Sequence, residues 1–167
     1  MIHNLSLDHQ SKNYLVISSE IESRYEEVVT KISQYFDTSA EKILENPDVM
    51  YVSLPIVDKS GNITSTLSNS ELQMQEYGLL NNSDAKRIRN EITIDQIREI
   101  ISFTQISAYK NKKIVILNSA SNMNKEASSA LLKTLEEVSS NCTFILLASS
   151  LNAISETIRS RCQVLHY

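Results

Sequence analysis

The 167 residues, 41% of them hydrophobic, suffice for one buried core and predict a single domain over 1–167. Sixteen Lys and Arg against twenty Asp and Glu leave a net charge of -4, so the chain lacks the basic excess on which direct binding to a nucleic-acid backbone depends. It also lacks any run of about twenty apolar residues and any basic-then-apolar leader, which excludes a membrane-spanning helix and a secretory signal and predicts a cytoplasmic protein.

Residues 14–18 (YLVIS) form a short, β-branched apolar run that predicts a buried strand. Over 22–36 the apolar positions Tyr25, Val28, Val29, Ile32 and Phe36 recur at spacings of three and four, the pattern of an amphipathic helix laid on a sheet. Asn46-Pro47-Asp48 then opens a second strand over 50–54 (MYVSL). Over 55–90 the period dissolves into Ser, Asn, Asp and Gly; Gly61-Asn62 predicts a tight turn, and the stretch is expected to be a surface insertion. Thr93 reads as the N-cap of a helix ending near Ser107, with Ile94, Ile97, Ile101 and Thr104 on one side. Residues 113–117 (KIVIL) predict a strand, and 125–138 a helix burying Ala127, Leu131, Leu132, Leu135 and Val138. A strand over 143–148 (TFILLA), a short helix over 153–159 and a strand fragment over 163–165 complete the chain. Apolar strands alternating with amphipathic helices predict a three-layer α/β/α domain, its parallel sheet covered on both faces.

In such a sheet the turn after the first strand is where backbone amides and a helix amino terminus can cradle phosphates. Set against GxxxxGK[ST], residues 18–25 (SSEIESRY) carry serine at both glycine positions, Ser18 and Ser23, Arg24 for the lysine, and Tyr25 for the hydroxyl that reaches magnesium. Glu20 and Glu22 add negative charge where a triphosphate would sit, and serine disfavours the positive φ that glycine permits. The strand over 113–117 should end in acids that hold magnesium and position water, yet it runs into Asn118 and Ser119. A degenerate phosphate loop and a degenerate acidic site follow, with no cofactor; 18–25 is either an ordinary connecting loop or one in which Arg24 survives as a phosphate contact. Cys142 and Cys162 lack CxxC spacing and are expected as free thiols, while His3, His9 and His166 are too dispersed for a ligand set or a triad, so no metal is expected.

Five segments occur in the order and spacing of bacterial clamp-loader subunits: 94–99 (IDQIRE), 113–117, 130–137 (ALLKTLEE), 144–147 (FILL) and 157–163 (TIRSRCQ). With Asn46-Pro47-Asp48, they make the chain resemble the delta prime subunit of DNA polymerase III and its gamma/tau relatives over nearly everything except 55–90. The resemblance implies an AAA+ fold. It further implies that Arg161, framed by Ser160 and Cys162, is an arginine finger offered to ATP bound by a neighbouring subunit, where a guanidinium can neutralise charge developing in phosphoryl transfer. The partners it implies are gamma/tau and delta subunits in a hetero-oligomer, with DNA met only indirectly through the complex.

Apart from the motif, Arg161 reads as a helix-terminal arginine satisfying the last carbonyls. Arg159 reads as a surface or interface charge, Cys162 as a small buried residue, and Lys133, Glu136 and Glu137 as a solvated face able to touch another subunit. Two departures from the family stand out: the four cysteines of its zinc module are absent, and neither the helical lid nor the collar follows Tyr167. The leading expectation is a subunit of the polymerase III holoenzyme with no activity of its own. A degenerate ATPase using Arg24, and a truncated remnant or plain interaction module, are the alternatives.

Overall fold

The computed structural model describes residues 5–7, 13–76, 87–110, 112–137 and 141–166. β1 (Tyr14–Ile17) leads through three residues into α1 (Ile21–Phe36), followed by β2 (Val49–Val52). β3 (Pro55–Val57), β4 (Ile63–Thr66), α2 (Asn69–Glu76) and β5 (Arg87–Ile88) come next, then α3 (Ile94–Gln105) and β6 (Lys113–Leu117). α4 (Lys125–Glu137), β7 (Cys142–Ala148), α5 (Glu156–Arg159) and β8 (Gln163–His166) complete the chain. The expected α/β alternation is present, with most boundaries displaced by a residue or two.

β2, β6, β7, β1 and β8 lie in that order in one sheet, and every pairing is parallel. Strands of Val, Ile and Leu suit this position because both faces are covered. Tyr14, Val16, Ile114, Ile116, Ile145 and Leu147 pack on one side with Val28, Val29, Ile32 and Phe36 of α1. Their strand neighbours Leu15, Ile17, Val115, Leu117, Phe144 and Leu146 pack on the other with Ile97 and Ile100 of α3 and Ala127, Leu131 and Leu135 of α4. The strand order reverses at β1, whose partners are β7 on one side and β8 on the other, so the crevice beyond the carboxyl end of β1 is the switch point of the sheet.

The segment read as a surface insertion differs from that reading. β4, β3 and β5 form a second, antiparallel sheet, and Ile56, Leu67 and Leu72 are buried in the same core cluster as Ile97 and Ile100 of α3 and Leu131 of α4. Its apolar residues are few and irregularly spaced, which hid the strands from periodicity, yet Ile56, Leu67 and Leu72 land on the core. Ser53 ties the two sheets together, donating from its amide to Thr66 Oγ1 at 2.7 Å. The turn at Gly61 is as expected: Gly61 has φ of +88°, and Asp58 Oδ1 accepts from the amides of Ser60 and Asn62 at 2.8 and 2.9 Å.

α3 is turned slightly from the expected register, burying Ile100 while Ile94, Ile101 and Thr104 are only partly covered. Gln96 explains the rotation. It is 2% exposed, its Nε2 donates to the Ser53 carbonyl at 2.8 Å, and its Oε1 accepts from the Thr93 amide at 3.2 Å. Gln96→Leu keeps the volume but strands both partners, and is expected to cost about 1–3 kcal/mol in urea unfolding; a loss under about 0.5 kcal/mol would show that the amide is not needed. Leu132 is partly covered rather than buried, while Val138, His3 and His9 lie outside the described residues.

Candidate functional site

At the carboxyl edge only residues 18–20 separate β1 from α1, so Ser23 and Arg24 already belong to the first turn of the helix. Ser18 is buried and its Oγ accepts from the Glu20 amide at 3.0 Å, which closes a tight local turn. Glu20 occupies the N-cap, placing a carboxylate at the positive end of α1. Arg24 is 2% exposed and turns inward, with Nη1 donating to the Ser18 carbonyl.

Tyr25 meets Tyr51 of β2 edge-to-face, ring centroids 5.6 Å apart and planes at 80°. Burial pushes the Tyr51 phenol up to about 12, against the opposing hydrogen bond from Asn118, so it is neutral at physiological pH. Asn118, at the end of β6, is fully buried. Its Nδ2 donates to Tyr51 Oη at 3.3 Å and to Asn69 Oδ1 at 3.2 Å, and its Oδ1 accepts from the Ser119 amide at 2.9 Å. Ser119 takes a left-handed conformation, φ 62°. The carboxyl end of β6 thus holds a neutral amide bonded to Tyr51, Asn69 and Ser119. Among the described residues no group of three or more His, Cys, Asp or Glu could hold a metal ion.

Arg161 lies at the opposite edge. Gln163 of β8 is in register with Tyr14, the first residue of β1, and Asn13 Nδ2 donates to the Arg161 carbonyl at 3.4 Å. The four residues of β1 therefore stand between Arg161 and the β1–α1 turn, a span of about 13 Å. The Arg161 side chain is 36% exposed. Its Nη1 donates to the Thr157 carbonyl at 2.9 Å and to Ser160 Oγ at 3.2 Å, and its Nη2 pairs with Glu136 Oε1 near the end of α4. This is the helix-terminal geometry expected of Arg161 apart from the motif. Ser160 Oγ donates to the same Thr157 carbonyl at 3.0 Å.

Cys162 is partly covered, and burial pushes its thiol up to about 12; the same cause raises buried Cys142 to about 12, with Lys113 and Lys112 opposing. Neither is a reactive thiolate at neutral pH. Arg159 is partly covered at the end of α5. Tyr51, Asn69 and Glu136 were not singled out from sequence as members of these two sites. Tyr51 reads as one more apolar strand residue, Asn69 falls in the aperiodic stretch, and Glu136 meets Arg161 only because α4 and the turn after α5 reach the same edge of the sheet.

A parallel five-stranded sheet between helices, with its crevice at the switch strand, makes a three-layer α/β domain whose fold resembles AAA+ clamp-loader domains. A DNA polymerase III gamma subunit-related protein from Thermotoga maritima shares this fold at a TM-score of 0.66 and 17% identity, over 96% of this chain and 42% of that one. Residues 69–167 match the family described as DNA polymerase III, delta subunit, and the chain belongs to that family.

Among its relatives are the DNA polymerase III subunits delta' of Pseudomonas aeruginosa and of Haemophilus influenzae. The first is 34% identical over 88 residues, 52% of this chain and 26% of the relative. The second is 41% identical over 75 residues, 44% of this chain and 23% of the relative. The matched stretch thus spans about a quarter of the length of these two relatives. The family match starts at Asn69, inside the stretch left outside the motif resemblance, so what is said of Ser18 to Tyr25 rests on their geometry. No helix among the described residues is long and apolar enough to cross a membrane.

Proposed function

We propose that this chain is a clamp-loader subunit of the polymerase III holoenzyme that holds no nucleotide and supplies Arg161 in trans to ATP bound by a neighbouring gamma/tau-type ATPase. In this reading it works in the cytoplasm within a hetero-oligomer that also contains delta, and it meets DNA only through the complex. The observation that carries the proposal is positional. Arg161 sits at the amino edge of the sheet and the β1–α1 turn at the carboxyl edge, which supports a role for Arg161 toward a triphosphate held by another molecule. The carboxyl-edge crevice, filled by Tyr25, Tyr51 and Asn118 and lined by an inward-turned Arg24, supports a degenerate Walker A loop and argues against the residual ATPase.

Isothermal titration of the chain with magnesium and ATP is expected to give no binding heat at micromolar nucleotide. Saturable one-to-one binding there would overturn the nucleotide-free half of the proposal. The finger half is tested by the ATPase rate of the assembled complex carrying Arg161→Ala. A second reading, that Arg161 only closes the turn after α5, is favoured by its bonds to Thr157 and Ser160, and the same measurement separates the two.

A further inference from the structure

We infer that Glu136 is a positioning residue that controls how readily Arg161 reaches the neighbour's triphosphate, an inference that rests on the trans role proposed above. The guanidinium is already engaged on both sides: Nη2 faces the Glu136 carboxylate, while Nη1 serves the Thr157 carbonyl and Ser160 Oγ. A γ-phosphate oxygen needs the same outward N–H groups, so carboxylate and phosphate compete for one fork. The adjacent acid, Glu137, lies 4.0 Å from Lys133 on its own helix, and among the described residues Glu136 is the carboxylate paired with Arg161.

The strength of the pair suits a displaceable hold. Arg161 and Glu136 side chains are 36% and 45% exposed, and an ion pair this open is weak enough for a more highly charged triphosphate to displace. Removing the Glu136 charge should leave the finger's chemistry intact and make it available at lower occupancy. The signature is therefore a shift in half-maximal concentration at an unchanged plateau, which loss of a purely structural contact does not produce.

The test titrates the full chain into a fixed amount of the gamma/tau-type ATPase from the same cell and reads ATP turnover. Glu136→Gln is expected to lower the half-maximal concentration about 1.5- to 5-fold, with the same maximal rate. Glu136→Gln on an Arg161→Ala background is expected to match Arg161→Ala alone. An unchanged or higher half-maximal concentration for Glu136→Gln, while Arg161→Ala lowers turnover, would overturn this inference and leave the trans role standing. A gain from Glu136→Gln that persists without Arg161 would overturn it as well. If Arg161→Ala leaves turnover at the wild-type level, the trans role fails and this inference falls with it.

Discussion

Arg161→Ala is expected to lower ATP turnover at the site it serves by about 10³-fold or more, the range over which arginine fingers act. The measurement uses the neighbouring ATPase with and without this chain, so that turnover at other sites does not mask the loss. A finger contributes most where charge develops in the transition state, so the loss should fall mainly on kcat, with a smaller loss in the ground-state hold on the nucleotide. Arg161→Lys should recover only part of the rate, because an ammonium lacks the planar fork. The chain itself should remain folded, since Arg161 is a third exposed and its contacts are local or at the surface. Full turnover with the alanine variant would leave Arg161 with the turn-closing role alone.

Asp48→Ala is expected to cost about 3–5 kcal/mol in urea unfolding, a large part of the stability of a domain this size. Asp48 is fully buried, and its two carboxylate oxygens accept from the amides of Tyr109 and Lys110 at 2.8 and 2.7 Å. Alanine leaves both amides without the acceptors they have now, in a place where the edge of β2 meets the approach to β6. The Asp48 carbonyl also accepts from the Ile114 amide at 2.8 Å, so the same residue anchors the strand pairing. Asp48→Asn keeps one acceptor oxygen and should lose about half as much. A loss below about 1 kcal/mol for alanine would mean that water reaches the two amides. This is a physical reason for the Asn46-Pro47-Asp48 pattern, which otherwise stands out only by resemblance.

Much of the fold was legible because parallel strands covered on both faces must be continuous apolar runs. KIVIL and TFILLA could hardly be anything else, and the three-and-four spacing of Val28, Val29, Ile32 and Phe36 oriented α1 correctly. The small antiparallel sheet was not legible. Its strands are two to four residues long, and Ile56, Leu67 and Leu72 are buried through contacts with distant elements rather than by any local period. Gln96 illustrates the same limit, a polar side chain drawn into the core because a carbonyl 43 positions away in the chain needed a donor.

For the site, the sequence by itself determined which residue types are absent: no glycine or lysine at residues 18–25 and no acid at Asn118 and Ser119. It also determined, through TIRSRCQ, which arginine to watch. Only the tertiary structure decided that Arg24 turns inward onto Ser18, that Tyr25, Tyr51, Asn118 and Asn69 meet in one crevice, and that Arg161 stands at the opposite edge paired with Glu136. Those relations are set by parallel strand pairing, in which β8 returns beside β1 and carries the residues before it to the amino edge. Such pairing joins positions some 150 residues apart through backbone hydrogen bonds that leave no mark on local sequence.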